Sequence, residues 1–180
     1  MISMKKLILS LSLGWVSFVG ATCSTSGAIA QTTPTANFFI SSLGVVVDTT
    51  TGLMWKRCLE GLSGDDCLTG TVRQETWDSA FSYVVNINSN GGFAGFTDWR
   101  IPNVKELRSI VEESCRGPAI NEVVFPNVGA LSDQFTSTPV SDVYQDNVWS
   151  VYFYQGIMQK VQMFVTGSSV KEYRLVRKAN

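Results

Sequence analysis

The period of the hydrophobic pattern changes along the chain, and this change limits the folds that are open to it. Between Trp77 and Val111, two stretches repeat apolar residues every three or four positions, as one face of a helix does. From Phe135 onward, short apolar runs alternate with polar residues, as strands do. Helices followed by a series of strands predict an α+β domain, with two helices packed on a twisted antiparallel sheet.

Both predicted helices begin at a recognisable N-cap. Thr76 caps the first helix, which should end by the residues Asn90, Gly91 and Gly92. Its expected apolar stripe is Trp77, Ala80, Phe81, Val84 and Val85. Asn103 and Glu106 form a capping-box pattern for the second helix. The second stripe is Val104, Leu107, Ile110 and Val111, which leaves Lys105, Glu106, Arg108, Glu112 and Glu113 toward water.

The predicted strands include a hairpin and a later meander. The segment VVVDTTTGLMWKR reads as two strands joined by a turn, in which Asp48 bonds the turn backbone and Gly52 takes a positive φ. In VWSVYFY, alternation predicts Trp149, Val151 and Phe153 on the core face. Tyr152 and Tyr154 then lie on the opposite face, toward solvent or a partner.

Residues 1–30 have the layout of a cleavable signal peptide. Lys5 and Lys6 precede an apolar run that ends at Val19, and the A-x-A pattern at Ala30 predicts cleavage before Gln31. Lipoprotein processing at Cys23 is an alternative that the preceding threonine fits poorly. The prediction is an N-terminal lead-in over 31–44, flexible over 31–37, and a single domain over 45–180. The expected location is the periplasm, the cell surface or the medium, with no membrane span after cleavage.

Cleavage before Gln31 would reduce the four cysteines to three. An oxidising compartment then favours one disulfide and leaves one thiol over. Cys58 and Cys67 flank a short glycine-containing loop and are the favoured pair. Pairing of Cys115 with either of them stays open, because spacing does not determine connectivity.

The chain contains no histidine, which excludes histidine-based catalytic systems and histidine-ligated metals. We therefore expect no metal, no cofactor and no enzyme activity. Glu112 and Glu113 do not predict a glycosidase, since neighbours on a helix point about 100° apart. The mature net charge would be −3, which argues against nucleic acid as a partner.

Several segments occur in an order that resembles a known family: VVVDTTTGLMWKRC, WDSAFSYV, GFTDWRIPNVKELRSIVE, PAINEVVFPN, FTSTP, VWSVYFYQG and YRLVR. The family is the C-terminal domain of the Legionella collagen-like adhesin, a bacterial surface-protein domain of unknown function, and the resemblance covers 45–177. It implies a C-type-lectin-like fold, distantly similar to formylglycine-generating enzymes. The chain lacks the late cysteine pair of those enzymes and the calcium-and-sugar triplets of true C-type lectins.

The predicted site residues fall into two groups. Large aromatics dominate cores, so Trp55 and Trp99 are expected to be structural, with Arg100 beside Asp98 fixing a loop. Candidate ligand-binding residues are Tyr152, Tyr154, Tyr173, Arg174 and Lys171. The basic cluster Lys171, Arg174, Arg177 and Lys178 could meet an anionic polysaccharide, although a solvated edge with one buried arginine is the simpler interpretation.

These observations predict an exported, non-catalytic binding module that recognises a surface polysaccharide or glycan, as an adhesin does. The alternative is a structural or accessory subunit of a surface appendage or envelope complex, which would act through protein contacts. Self-association of the domain stays open.

Overall fold

The computed structural model describes residues 21–24, 29–141, 146–163 and 170–179. Most of the predicted signal peptide, 1–20 and 25–28, lies outside the described residues. Within them, the helices are α1 (Trp77–Ser89) and α2 (Val104–Ser109), with a 3-10 turn at Thr35–Asn37. The strands are β1 (Thr22–Cys23), β2 (Phe38–Ser41), β3 (Val45–Asp48), β4 (Leu53–Lys56), β5 (Leu62–Ser63), β6 (Thr69–Gly70), β7 (Cys115–Arg116), β8 (Asp133–Pro139), β9 (Asn147–Tyr152), β10 (Ile157–Gln162) and β11 (Val176–Lys178).

The central sheet has four antiparallel strands in the order β11–β4–β3–β2. Its middle hairpin is the one that the sequence predicts. Asp48 accepts hydrogen bonds from the Thr50 backbone N–H at 2.9 Å and from the Thr51 hydroxyl at 2.7 Å. Gly52 has a φ of 67°, which a residue with a side chain rarely adopts.

The helix α1 packs on one face of the central sheet. Successive strand residues point to opposite faces, so Val45 joins a cluster with Ala80 and Val84 of α1. Trp99 belongs to the same cluster and is buried, as predicted. The predicted stripe is wrong at Val85, which is 66% exposed because α1 contacts the sheet along a narrower face.

The other face of the central sheet carries the larger core cluster. Val46 and Trp55 pack there with Leu107 and Ile110 of the α2 region, and Val151 of β9 closes the cluster. The two helices therefore lie on opposite faces of the sheet. The α+β class and the helix-on-sheet packing are as the sequence predicts. No helix in the described ranges is long and apolar enough to cross a bilayer.

A second antiparallel sheet, in the order β10–β9–β8, packs against α2. Here the predicted core face is right at Val151 and Phe153, which are fully buried, but the opposite face is covered as well. Val148 and Ser150, which share the face of Tyr152, are fully buried, whereas Trp149 is only half-buried. The reason is that Val148 packs with Phe135 and other apolar residues on that face.

The capping box of α2 is present. The Asn103 side chain accepts from the Glu106 backbone N–H at 2.9 Å, and Glu106 accepts from the Asn103 N–H at 2.8 Å. Arg100 also donates to both oxygens of the Glu106 carboxylate, at 2.6 and 2.7 Å, whereas Asp98, its expected companion, accepts from Arg177. Because α2 ends at Ser109, Glu112 leaves the helix, and its predicted exposure to water is wrong.

Candidate functional site

The four cysteines form two disulfides. Cys58 bonds Cys67, which confirms the favoured pair and closes a loop that contains β5, with its partner β6 directly after the loop. Cys23 bonds Cys115, across the paired strands β1 and β7. The expectation of one spare thiol assumed that Cys23 is removed with the signal peptide; in the chain that the structure describes, all four cysteines are paired.

The first described residues belong to the domain. The Ala21 backbone N–H donates to the Glu122 carboxylate at 2.7 Å, and the Ser24 N–H donates to the Ser114 carbonyl at 2.7 Å. Thr22 pairs with Arg116 in the short β1–β7 ladder. A covalent bond and a ladder of hydrogen bonds therefore attach this segment to the chain that follows α2.

The Glu112 carboxylate attaches a second part of the N-terminal chain. It accepts hydrogen bonds from the backbone N–H groups of Thr32 and Thr33 at 3.1 and 2.8 Å, and from the Ser114 hydroxyl at 2.6 Å. Burial alone raises the pKa of this carboxyl, but the hydrogen bonds from Ser114, Thr33 and Thr32 outweigh burial and lower the pKa to about 2. The predicted flexible lead-in over 31–37 is thus an ordered, hydrogen-bonded segment.

A groove of about 500 Å³ lies beside the Cys23–Cys115 disulfide. One wall is formed by β1 and its flanks, and the other by the residues after α2 and by the turn between β9 and β10. The groove is open to solvent, and its lining mixes apolar and polar side chains. These are Thr22, Cys23, Ser24, Ile29, Glu113, Ser114, Cys115, Arg116, Gln155 and Ile157.

Arg116 connects this groove to the two candidate tyrosines. Its guanidinium lies 5.9 Å from the centroid of the Tyr154 ring, and that ring lies 6.0 Å from the ring of Tyr152 at an angle of 38°. The Tyr154 ring packs close to Gly117, where an added Cβ would lie 3.5 Å from it. Arg116 is exposed and forms no ion pair with any residue that the structure describes. Tyr152 and Tyr154 do not line the groove themselves, but the Arg116 guanidinium, which does line it, lies beside the Tyr154 ring.

The chain was compared with models of known protein families. The model of the family described as the Lcl C-terminal domain matches residues 44–177. The chain belongs to this family. The resemblance to the Legionella collagen-like surface protein is thereby confirmed, and no curated protein matches the chain. Family membership and the two disulfides indicate a location outside the cytoplasm, at or near a cell surface.

In this Lcl C-terminal domain, three of the predicted ligand residues lie away from the groove. Tyr173 and Arg174 are fully buried, so their predicted place on an exposed surface is wrong. The Lys171 ammonium is 2.9 Å from the Asp133 carboxylate, and its charge is therefore already paired. Of the five candidates, Tyr152 and Tyr154 remain.

Arg174 is part of the interior of the domain. Its guanidinium donates to the carbonyl oxygens of Lys56 and Arg57 and lies 4.8 Å from the centroid of the Phe125 ring. Burial lowers the pKa of Arg174, while the carboxylates of Glu60 and Glu172 act in the opposite direction. These contacts give the arginine a structural role.

The predicted basic cluster at the C-terminus does not form a cationic surface. The Arg177 guanidinium lies 3.9 Å from the centroid of the Phe96 ring and donates to the Asp98 carboxylate at 2.7 Å. Because Arg174 and Arg177 are buried and Lys171 is paired, Lys178 alone in this cluster is exposed and forms no ion pair with a described residue. The simpler interpretation made from the sequence describes this region better than polysaccharide binding does.

A second cleft, of about 220 Å³, lies between the β2–β3 turn and the Cys58–Cys67 loop. Lys56 lines it, with its ammonium 4.4 Å from the centroid of the Phe93 ring. That ammonium is also 2.7 Å from the Glu60 carboxylate, so the positive charge at this cleft is already paired. Within the described residues, no group of three or more histidine, cysteine or acidic side chains could hold a metal ion.

Sequence reasoning missed the groove for an identifiable reason. It set Cys23 aside with the signal peptide, and it left Arg116 without a role. The even number of cysteines in the whole chain was the signal that could have revealed two disulfides, and with them the position of Arg116 beside Cys115.

Proposed function

We propose that this domain is a non-catalytic binding module that recognises an acidic surface polysaccharide in the groove beside Cys23–Cys115. The observation that carries the proposal is the Arg116 guanidinium, which forms no ion pair with a described residue, lines the groove and lies 5.9 Å from the centroid of the Tyr154 ring. A surface-protein family and a location outside the cytoplasm are consistent with such a ligand.

The chemistry of the groove matches a sugar that carries a carboxylate. The planar guanidinium of Arg116 can donate two parallel hydrogen bonds to one carboxylate. The face of an aromatic ring is partly negative and packs against the C–H groups along one side of a sugar ring, which suits Tyr154. The exposed Gln155 amide adds a neutral donor and acceptor for hydroxyl groups. A uronic acid unit within a polysaccharide combines all these features.

The carboxylates near the groove support a non-catalytic role. Glu112 is buried among its hydrogen bonds, and Glu113 lies 2.6 Å from the Arg108 guanidinium, so they do not face each other across a sugar as a glycosidase pair must. Cys115 is bonded to Cys23 and carries no thiol for chemistry of the formylglycine-generating type.

A protein partner is the alternative, and one observation favours it. β10 is an edge of its sheet, and Ile157 and Met158 on it are 45% and 48% exposed. An exposed edge strand with apolar side chains can pair with a strand from another chain. A protein partner on β10 would leave the Arg116 guanidinium unused.

The test is binding of the exported, non-reduced protein to an array of neutral, sulfated and uronic-acid glycans. We expect retention of uronic-acid glycans, and a loss of affinity of about tenfold or more for Arg116→Ala and Tyr154→Ala, in line with a lost charge-assisted hydrogen bond or an aromatic contact. Arg73→Ala is the matched control, because Arg73 also lies over a tyrosine, 4.0 Å from the Tyr83 ring centroid, but away from the groove. Its affinity should equal that of the wild type.

Two results would contradict the proposal. The first is that no glycan is retained at low salt. The second is that binding is equally weakened by Arg73→Ala and Arg116→Ala. If the protein instead forms a complex that is lost on mutation of Met158 and retained in Arg116→Ala, the protein-partner alternative is correct.

A further inference from the structure

We infer that export removes the signal peptide between Ala21 and Thr22, so that the mature domain retains Cys23. The prediction from the sequence placed the cut nine residues later, before Gln31. The inference rests on the disulfides and contacts of the first described residues and is independent of which ligand the groove binds.

The disulfide pattern requires Cys23. With it, all four cysteines are paired, as Cys23–Cys115 and Cys58–Cys67. A cut before Gln31 would remove Cys23 and leave Cys115 as an unpaired thiol in an oxidising compartment, where spare thiols are uncommon. A cut before Cys23 leaves no unpaired cysteine.

The contacts around Cys23 also favour a cut before this residue. β1 pairs with β7, and the Ser24 N–H donates to the Ser114 carbonyl. Residues 22–24 and Ile29 also form one wall of the groove. A cut before Gln31 would discard this wall and expose the backbone groups of β7 that it covers.

The sequence before Thr22 offers a suitable cleavage site. The apolar run ends at Val19, and Ala21 is a small residue at the position before the cut, as in A-x-A-like sites. Hydrolysis adds one water to the Ala21–Thr22 peptide bond, giving a carboxylate on Ala21 and an amine on Thr22. The cut removes the Ala21 N–H that donates to the Glu122 carboxylate at 2.7 Å, so the new amine forms one residue from that hydrogen bond.

The same disulfide excludes lipid attachment at Cys23. A lipoprotein carries its lipid on the cysteine sulfur and begins at that cysteine. The Cys23 sulfur is bonded to Cys115, so it cannot also form a thioether. The mature chain should therefore be released without an acyl anchor at this residue.

The test is N-terminal sequencing and intact mass of the protein exported from the full chain and isolated without reductant. We expect Thr22 as the first residue, no thiol that reacts with iodoacetamide under denaturing conditions, and four reactive thiols after reduction. An N-terminus at Gln31 with one reactive thiol would overturn the inference, and so would an acylated Cys23 in the membrane fraction.

A pair of variants tests the cleavage site directly. Ala21→Leu places a large residue before the proposed cut and should accumulate unprocessed precursor, whereas Ala30→Leu should be processed like the wild type. Accumulation of precursor in Ala30→Leu, with normal processing of Ala21→Leu, would overturn the inference. The readout is precursor size and does not depend on glycan binding.

Discussion

Replacing Glu112 by glutamine should strongly destabilise the domain. Glutamine has nearly the same shape as glutamate but carries no charge. In the wild type, both carboxylate oxygens accept hydrogen bonds from backbone N–H groups, whereas the NH₂ group of glutamine would face one of these donors with a donor of its own. The folded structure lowers the pKa of Glu112 from 4.5 to about 2. At about 1.4 kcal/mol per pKa unit, this shift corresponds to a loss of roughly 3 kcal/mol in the free energy of unfolding at pH 7.

The loss should depend on pH in a defined direction. Because the folded-state pKa of Glu112 lies below the unfolded value, its contribution to stability is complete above about pH 5 and falls as pH decreases toward 2. At pH 3 the difference between the wild type and Glu112→Gln should shrink to about 1.5 kcal/mol, by the same linkage relation.

The measurement is urea unfolding, followed by tryptophan fluorescence with both disulfides intact, at pH 7 and pH 3. Glu113→Gln is the control, since this neighbouring carboxylate is exposed and makes only a surface ion pair with Arg108, worth about 1 kcal/mol or less. A Glu112→Gln loss no larger than that of Glu113→Gln, or a loss that is the same at both pH values, would refute the proposed role of Glu112.

Two further predictions concern the close backbone contact at Gly92 and the disulfide that attaches the N-terminal segment. Gly92→Ala should lower the free energy of unfolding by about 2 kcal/mol more than Gly91→Ala does. Both glycines have a positive φ, but only at Gly92 would an added Cβ lie 1.8 Å from the Phe96 carbonyl oxygen. Equal losses in urea unfolding would contradict this prediction. Replacing Cys23 and Cys115 together by serine should cost roughly 2–5 kcal/mol, because the bond closes a long loop; an unchanged thermal midpoint would show that the bond does not stabilise the domain.

The elements that depend on local chemistry could be predicted from the sequence. The α2 capping box uses groups three residues apart, and the β3–β4 turn uses Asp48 and Gly52 within five residues. The Cys58–Cys67 bond likewise closes a short loop. These features form without information from distant parts of the chain.

The groove depends on contacts between distant residues, which the pattern does not encode. Cys23 and Cys115 are 92 positions apart, and Thr33 reaches Glu112 across 79. Tyr173 and Arg174 were predicted to bind a ligand from their residue types and the basic cluster, and residue type alone cannot tell that both side chains are covered. Tyr173 packs in the cluster with α1, and Arg174 reaches the backbone near Lys56.

The most direct test of glycan recognition in this groove is an NMR titration of the ¹⁵N-labelled, non-reduced domain with a galacturonic acid tetrasaccharide. Recognition in the groove predicts saturable shifts of backbone amides within 113–117 and 152–157, which disappear in Arg116→Ala and persist in Arg73→Ala. Shifts confined to the cleft around Lys56 and Phe93, or no saturable shifts at all, would contradict it.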